Sequence, residues 1–428
     1  MNDDMMINEV KICNNALYDI PTILNKIGIS SCVMLVCDKN TYKAAGSLLR
    51  DILIDKNFDV LLCMLNREGN LIPDERAVGE VLTSLENKVE IMIAVGSGTI
   101  NDVVKFVSSK TKIPYGIVAT APSMDGYASS VSPLIVNGFK RTYNATYPVF
   151  IVGDTNILKD APYDMITSGF GDIIGKFTSL SDWYIGSVIT EEEYSKEIAE
   201  DTRKSLNECI EVSKNLKSKD EKAIKKLMGA LILSGLSMLK FGNSRPASGA
   251  EHHLSHFIEM KELLSGGIEH SHGAKVGIMT RISVSLFNAV FSLNEDEVKK
   301  LMEERKHETK EEFEFRIRKN FGPMADEVFK DIDHYYIDEE LRRVRQKRIL
   351  KNWDTMKKWV SENVPSSDYI DELLNDVEAP SDISYLGLQK SELKNILMNA
   401  KEMRKRYTIL RLAEDINLDR ILDLAIKN

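Results

Sequence analysis

The sequence predicts an α/β N-terminal domain built on a parallel sheet, followed by an all-α C-terminal domain. Three observations carry this prediction. Up to about residue 160, short apolar runs alternate with stretches whose apolar residues recur at helical spacing. Beyond that point the strand signals stop and helical periodicity continues to the end. At 428 residues the chain is also long enough for more than one buried core.

The elements follow in order. "SCVMLVCD" (31–38), "FDVLLCML" (58–65), "EIMIAVG" (90–96) and "PYGIVAT" (114–120) read as strands buried on both faces. Between them, "YKAAGSLLRDIL" and "ERAVGEVLTSLEN" carry apolar positions at helical spacing. Strand alternating with helix implies a Rossmann-like parallel sheet with right-handed crossovers. Ligands of such sheets lie at the carboxyl ends of the strands, where Asp38, Gly96–Thr99 and Thr120–Asp125 fall. In "SPLIVNGFKRTY" the pair Asn137-Gly138 separates two strand-like runs and predicts a β-hairpin, because Asn-Gly tolerates the positive φ of a type I′ turn. "YPVFIVGD" adds a strand ending at Asp154.

The later segments read as helices: "DIIGKFTSLSDWYIG", "IEVSKNLKS", "IKKLMGALILSGLSML" and "VGIMTRISVSLFNAVFSL". In "GFGDIIGKF" a Gly-Phe-Gly turn is expected to place Asp172 in the first turn of a helix. Past Asn294 the density of mixed-sign charge reads as solvated helix faces, and Pro365-Ser366 and Pro380-Ser381 mark helix starts. The expected domains are 1–160, α/β, and 161–428, all-helical, with a charged extension from about 293.

Composition excludes several classes. The chain is 43% hydrophobic and 28% charged, ordinary soluble usage. A formal net charge of −9 argues against nucleic acid as the main partner. The apolar run Leu227 to Leu239 is too short to span a bilayer and reads as a buried helix. The acidic start "MNDDMMINEV" lacks the order of a signal peptide. Five scattered cysteines, with no C-x-x-C, speak against disulfides and cysteine-zinc sites, so a reduced, cytoplasmic protein is expected.

Two stretches carry chemistry. Gly96-Ser97-Gly98-Thr99 joins a strand to a helix, where bare amides and helix N-terminal N–H groups face any anion present. It matches neither G-x-G-x-x-G nor a P-loop, so a phosphate cradle and a plain tight turn are both open. Five of the seven histidines fall between 252 and 272: His252, His253, His256, His270 and His272. His252 and His256, four apart, share a helix face, and His253 points elsewhere. Two imidazoles on one face, a third from a neighbouring helix and a carboxylate such as Asp172 suit a divalent transition metal with an open position. Composition does not decide which histidines bind.

Taken together, "GSGTINDVVKF", "TAPSMDGYASSVSPL", "GFGDIIGK", "RPASGAEHHLSH" and "SHGAKVG" resemble, in order and spacing, the glycerol-1-phosphate dehydrogenase family, in its longer bacterial branch. That family lies within the superfamily of glycerol dehydrogenase, iron-containing alcohol dehydrogenases and dehydroquinate synthase. The resemblance covers about residues 10 to 290. It implies interconversion of dihydroxyacetone phosphate and sn-glycerol 1-phosphate, with NAD(H) or NADP(H) and one Zn²⁺ or Ni²⁺ ion. By motif it implies Asp172, His252 and His272 as metal ligands, with Asp172, His256 and Asp125 at the substrate. Gly96, Ser97, Gly98, Thr99, Ile100, Asn101 and Asp102 would form the pyrophosphate loop. Thr120, Ala121, Pro122, Ser123 and Ser129 would touch the nicotinamide cofactor, and Asp38 its adenosine ribose. Ser97 departs from the glycine usual in the superfamily. Arg245, Lys275 and the helix start at Ser248-Gly249 are candidates for the substrate phosphate. A homodimer is the expected assembly. Competing readings are a polyol dehydrogenase acting on an unphosphorylated substrate and an inactive nucleotide-binding sensor or scaffold. A dehydroquinate synthase is disfavoured, because that branch uses Glu at Asp172.

Overall fold

The computed structural model describes residues 7–427 except Glu68, Gly138, residues 267–269 and Asp331. Contacts divide the chain into two units, Met1–Ile173 with Lys204–Gly242, and Ile174–Arg203 with Asn243–Asn428.

Among the described residues the first unit has eight strands: β1 Glu9–Cys13, β2 Cys32–Cys37, β3 Asp59–Met64, β4 Val89–Gly96, β5 Tyr115–Ala119, β6 Val131–Val136, β7 Phe139–Asn144 and β8 Phe150–Asp154. Six form one sheet in the order β1-β8-β5-β4-β2-β3, every neighbouring pair parallel. The residues of β2, β5 and β8 are all buried, as continuous Val/Ile/Leu runs require when helices cover both faces. β3 corrects the expectation for residues 58–65. It lies at the sheet edge, and within it only Cys63 is buried. The opposite edge, β1, was not anticipated, because Glu9 and Lys11 interrupt any apolar run in "EVKIC". β6 and β7 form the expected antiparallel hairpin. Its register ends on Val136↔Phe139, and Asn137 takes a φ of 53°. Gly138, the other turn residue, lies outside the described residues.

Asp172 requires a second correction. It sits near the end of helix Tyr163–Ile174, in the last turn and not the first, and Gly169-Phe170-Gly171 is helical throughout. Gly169 serves close packing instead of a turn, since a Cβ there would lie 1.9 Å from the Pro122 carbonyl oxygen. The glycine lets this helix press against the Thr120–Asp125 loop. Gly175 then separates it from helix Lys176–Thr190, which belongs to the second unit.

The second unit is helical. One core gathers Ile185 from helix Lys176–Thr190, Leu254 and Phe257 from helix Ala250–Ser265, and Leu286 and Phe287 from helix His272–Ser292. Helix His272–Ser292 is long and apolar enough to cross a membrane by composition, but 83% of its apolar window is buried inside the unit. The charged region beyond Asn294 is more than solvated surface. Phe313, Ile317, Phe321, Ile349 and Trp353 enter the same core, as does helix Ile409–Ile416 through Ile409, Leu410 and Leu412.

The packing at Gly169 gives a paired test. Gly169→Ala should destabilise the protein by about 1–3 kcal/mol, because the obstacle is backbone and cannot yield as a side chain would. Gly79→Ala, in helix Glu75–Ser84 with nothing within 4 Å of the added methyl, should stabilise by about 0.5–1 kcal/mol. Urea unfolding midpoints of the two variants read the difference.

Candidate active site

In the first unit, the carboxyl ends of β2, β4 and β5 collect the residues expected to hold a dinucleotide. Gly96 closes β4, Ser97 is the extended N-cap residue, and helix Gly98–Thr111 begins at once. Ser97 is therefore the single residue between strand and helix, and the first helical turn leaves its N–H groups without helical partners. Ser97 makes no side-chain cap. Space beside the loop is limited: a Cβ on Gly98 would stand 3.2 Å from Met124. Ile100 and Asn101 point inward, and Asn101, fully buried, has neither amide atom hydrogen-bonded. An orphaned buried amide beside open helix N–H groups fits a polar, anionic ligand at this turn.

Asp102 is tied down by a residue the sequence reading overlooked. The fully buried Lys105 ammonium shares its three N–H groups among four acceptors: Asp102 Oδ1 (3.3 Å), the Gly126 carbonyl (2.8 Å), Ser129 Oγ (3.1 Å) and the Val131 carbonyl (3.0 Å). Burial pushes its pKa down, and Asp102 opposes this. Ser129 is thus held by Lys105, whose only sequence signal is its i+3 spacing from Asp102. Thr120, Ala121, Pro122 and Ser123 follow β5, all buried, with Thr120 N–H donating to the Gly96 carbonyl (3.1 Å). Ser168 Oγ donates to the Ser123 carbonyl (3.1 Å). Asp125 and Asp172, 47 residues apart, come together: Asp125 N–H donates to Asp172 Oδ2 at 2.9 Å, and Ser234 Oγ donates to Asp125 Oδ2 at 2.8 Å. Asp38 follows β2 and caps residues 39–41, its Oδ1 accepting from Thr41 N–H (2.8 Å).

In the second unit, His252, His256 and His272 form a triangle with ring centroids 5.3 to 6.0 Å apart. Buried carboxylates hold the Nδ1 edge of each ring. His252 Nδ1 meets Glu251 Oε1 at 2.8 Å, His272 Nδ1 meets Glu259 Oε1 at 2.9 Å, and His256 Nδ1 meets Glu259 Oε2 at 2.8 Å. Burial acts to raise the Glu251 pKa, but hydrogen bonds from His252, Thr178 and the Gly249 amide outweigh it and leave the pKa lowered. A carboxylate at Nδ1 fixes the proton there and presents Nε2 as a lone-pair donor, the arrangement metal-ligating histidines use. His252 and His272 therefore fit a divalent metal. His256, Glu259 and His272 also offer ligand atoms within 4.8 Å of one another. Glu251 and Glu259 were legible as neighbours at i−1 and i+3 of histidines, but only the fold aims them.

The remaining candidates lie outside this triangle. His253 is fully buried, and neither ring nitrogen has a hydrogen-bond partner; burial, with Arg406 and Arg404 nearby, pushes its pKa well down. His270 pairs with Glu262 (3.0 Å). Arg245 forks onto Glu192 (3.0 and 2.6 Å) and donates to the Asp182 and Tyr407 carbonyls. Lys275 pairs with Glu262.

Known proteins can be set beside this geometry. Residues 11–162 match the family model described as iron-containing alcohol dehydrogenase. Among solved structures, glycerol dehydrogenase from Schizosaccharomyces pombe aligns with 98% of this chain and 88% of its own, at a TM-score of 0.63 and 16% identity. NADH-dependent butanol dehydrogenase A from Thermotoga maritima aligns at 0.59 and 18% identity, covering 99% and 98%. The fold is that of the iron-containing alcohol dehydrogenases. A glycerol-1-phosphate dehydrogenase (NAD(P)+) of Halalkalibacterium halodurans is 33% identical over 406 residues, 94% of this chain and 91% of that relative. One of Geobacillus thermodenitrificans is 39% identical over 290 residues, 67% and 72% of the two chains. The chain belongs to the glycerol-1-phosphate dehydrogenase family and is an oxidoreductase.

Glu259 accepts from two imidazoles through its two oxygens, and an amide has only one acceptor atom. Glu259→Gln should therefore turn one ring out of register and weaken metal binding by about 10–100-fold, the range for losing such a partner. Titration with Zn²⁺ in a metal-buffered solution, read by metal content, checks this.

Proposed function

We propose that this chain interconverts dihydroxyacetone phosphate and sn-glycerol 1-phosphate with NAD(H) or NADP(H) and one divalent metal, Zn²⁺ or Ni²⁺. The observation that carries the reading is the imidazole triangle whose Nδ1 atoms are held by Glu251 and Glu259, in a chain whose relatives are named glycerol-1-phosphate dehydrogenases. Asp172, His252 and His272 are the proposed metal ligands. The metal would supply Lewis-acid polarisation of the substrate C2 oxygen, and the nicotinamide would supply or accept the hydride.

The chain's own groups do the rest. Backbone amides at the start of helix Gly98–Thr111, within Gly96–Asp102, bind the cofactor pyrophosphate. Thr120–Ser123 and Ser129 line the nicotinamide, and Lys105 keeps Ser129 in position. Asp38 binds the adenosine ribose hydroxyls. The Asp125 carboxylate, steadied by Ser234, orients a substrate hydroxyl. His256 exchanges the proton at the C2 oxygen through Nε2, because Glu259 keeps the Nδ1 side occupied. Burial of His252 and of the two carboxylates beneath the triangle excludes water from that side of the reacting centre.

Side-by-side oxidation of NADH and NADPH with dihydroxyacetone phosphate and dihydroxyacetone, followed by chiral analysis of the product, tests the reaction. The expected product is sn-glycerol 1-phosphate, formed faster from the phosphorylated ketone. Dialysis against chelator should abolish turnover and Zn²⁺ or Ni²⁺ should restore it; full activity without metal would overturn the mechanism.

His256 separates proton handling from metal binding. His256→Ala should keep stoichiometric metal and cofactor affinity while kcat/KM falls ~10²–10⁴-fold. A parallel fall in metal content would place His256 among the ligands.

A further inference from the structure

A phosphorylated substrate needs a cation, and the two candidates visible in the sequence, Arg245 and Lys275, are already neutralised by Glu192 and Glu262. We infer that the substrate phosphate is held by Arg404 and Arg406, from the charged C-terminal region, with the hydroxyls of Ser244 and Ser248. The inference rests on the function proposed above and names the residues that make it specific for a phosphate ester.

Four observations inside the second unit carry it. First, both guanidinium groups converge on one hydroxyl: Ser244 Oγ accepts from Arg404 Nη1 at 3.0 Å and from Arg406 Nη2 at 2.7 Å. Two guanidinium groups that meet at one hydroxyl direct donors from both sides to a single point, which suits an oxyanion bound beside it. Second, the remaining hydrogen bonds of Arg406 go to main-chain carbonyls, Ser244 O (3.2 Å) and Ser248 O (3.0 Å). Among the described residues, no carboxylate lies within 4.0 Å of Arg406, although the other largely buried arginines Arg245, Arg316, Arg342 and Arg411 each have one. Third, Ser248, 3% exposed, has a buried hydroxyl without a hydrogen-bond partner and directly precedes the N-cap residue of helix Ala250–Ser265. Fourth, the second arm of Arg404 reaches the imidazole triangle, Nη2 standing 3.0 Å from His256 Nε2. The cationic pair therefore lies one side chain away from the histidine assigned to the C2 oxygen, as a short phosphorylated polyol requires.

The segment is held in place. Tyr407 OH donates to Asp415 (2.8 Å), and Ile409 N–H donates to Asp182 Oδ1 (2.6 Å). The arginines are presented by a braced backbone, which lowers the entropic cost of clamping the ligand. Guanidinium forks match phosphate oxygens two at a time, and a lysine in their place would not.

The test uses the metal-loaded full-length enzyme and the variants Arg404→Gln, Arg406→Gln and Arg406→Lys. Inorganic phosphate, compared with chloride at equal ionic strength, should raise the wild-type Tm and compete with dihydroxyacetone phosphate. Each Gln variant should lose the phosphate effect and lower the kcat/KM ratio of dihydroxyacetone phosphate over dihydroxyacetone by ~10–150-fold, mainly through KM. Arg406→Lys should fall between, because it keeps the charge and loses the fork. KM for NADH and NADPH should stay level; a variant effect confined to NADPH would assign the arginines to the cofactor and overturn the inference. So would Gln variants that keep the wild-type substrate ratio, or a wild type indifferent to phosphate. If the wild type reduces neither ketone, the function proposed above fails, while phosphate binding still decides the anion site. If Arg406→Gln does not fold, Arg404→Gln and Arg406→Lys with the wild-type phosphate titration decide it.

Discussion

One buried carboxylate organises the helical unit. Asp182, in helix Lys176–Thr190, accepts the Ala250 N–H at Oδ2 (2.7 Å) and the Ile409 N–H at Oδ1 (2.6 Å). Each of those amides opens a helix and has no helical partner, and each helix presents the positive end of its dipole there. Burial and the neighbouring Glu251 push the Asp182 pKa well up, while Arg245 and the two amides act against this. A single side chain thereby joins three helices: its own, the one carrying His252 and His256, and the one that follows the Arg404–Arg406 segment. The glycine at 249 follows from the same contact, because a Cβ there would stand 2.6 Å from Asp182 Oδ2. Arg245 completes the junction by donating to the Asp182 and Tyr407 carbonyls while forked onto Glu192. A charged region that reads as surface is thus anchored at the root of the histidine helix.

The same economy appears at the imidazoles. Three rings at 5.3 to 6.0 Å would be an arbitrary cluster if their protons were free to move. Glu251 and Glu259 end that freedom by claiming every Nδ1, which leaves Nε2 as the lone-pair atom of each ring, and that of His256 meets Arg404 Nη2 at 3.0 Å. In the sheet unit the comparable constraint is close approach. Gly169 lets a helix touch the Pro122 carbonyl, and a Cβ on Gly235 would stand 2.8 Å from the Asp125 carbonyl, so the loop after β5 is gripped from two sides by backbone. Lys105 closes the remaining side by donating among four surrounding acceptors.

Much of this was legible from local pattern. The runs 31–38, 90–96 and 114–120 became β2, β4 and β5, because a strand covered on both faces must be continuously apolar. The Asn137 hairpin followed from turn chemistry. β1 escaped because its charged residues alternate with apolar ones over only five positions, and β3 proved half-open because strand order decides which strand is an edge. Gly-Phe-Gly suggested a turn because glycine favours turns; here it fills a helix at a backbone contact, and Asp172 moved from the first turn to the last.

By itself, then, the sequence determined the alternation of elements, the spacing that places His252 and His256 on one face, and the motif order that identifies the family. Those properties are local or recur as strings, and short-range periodicity is sufficient to express them. Only the tertiary structure decided which charges meet. It paired Lys105 with Asp102 and Ser129, set Glu259 beneath two imidazoles from different helices, and brought Arg404 to His256 across 148 residues of chain. Long side chains on exposed-looking helices carry no periodic sign of their partners. Whether such a charge is solvated or buried is settled by packing alone.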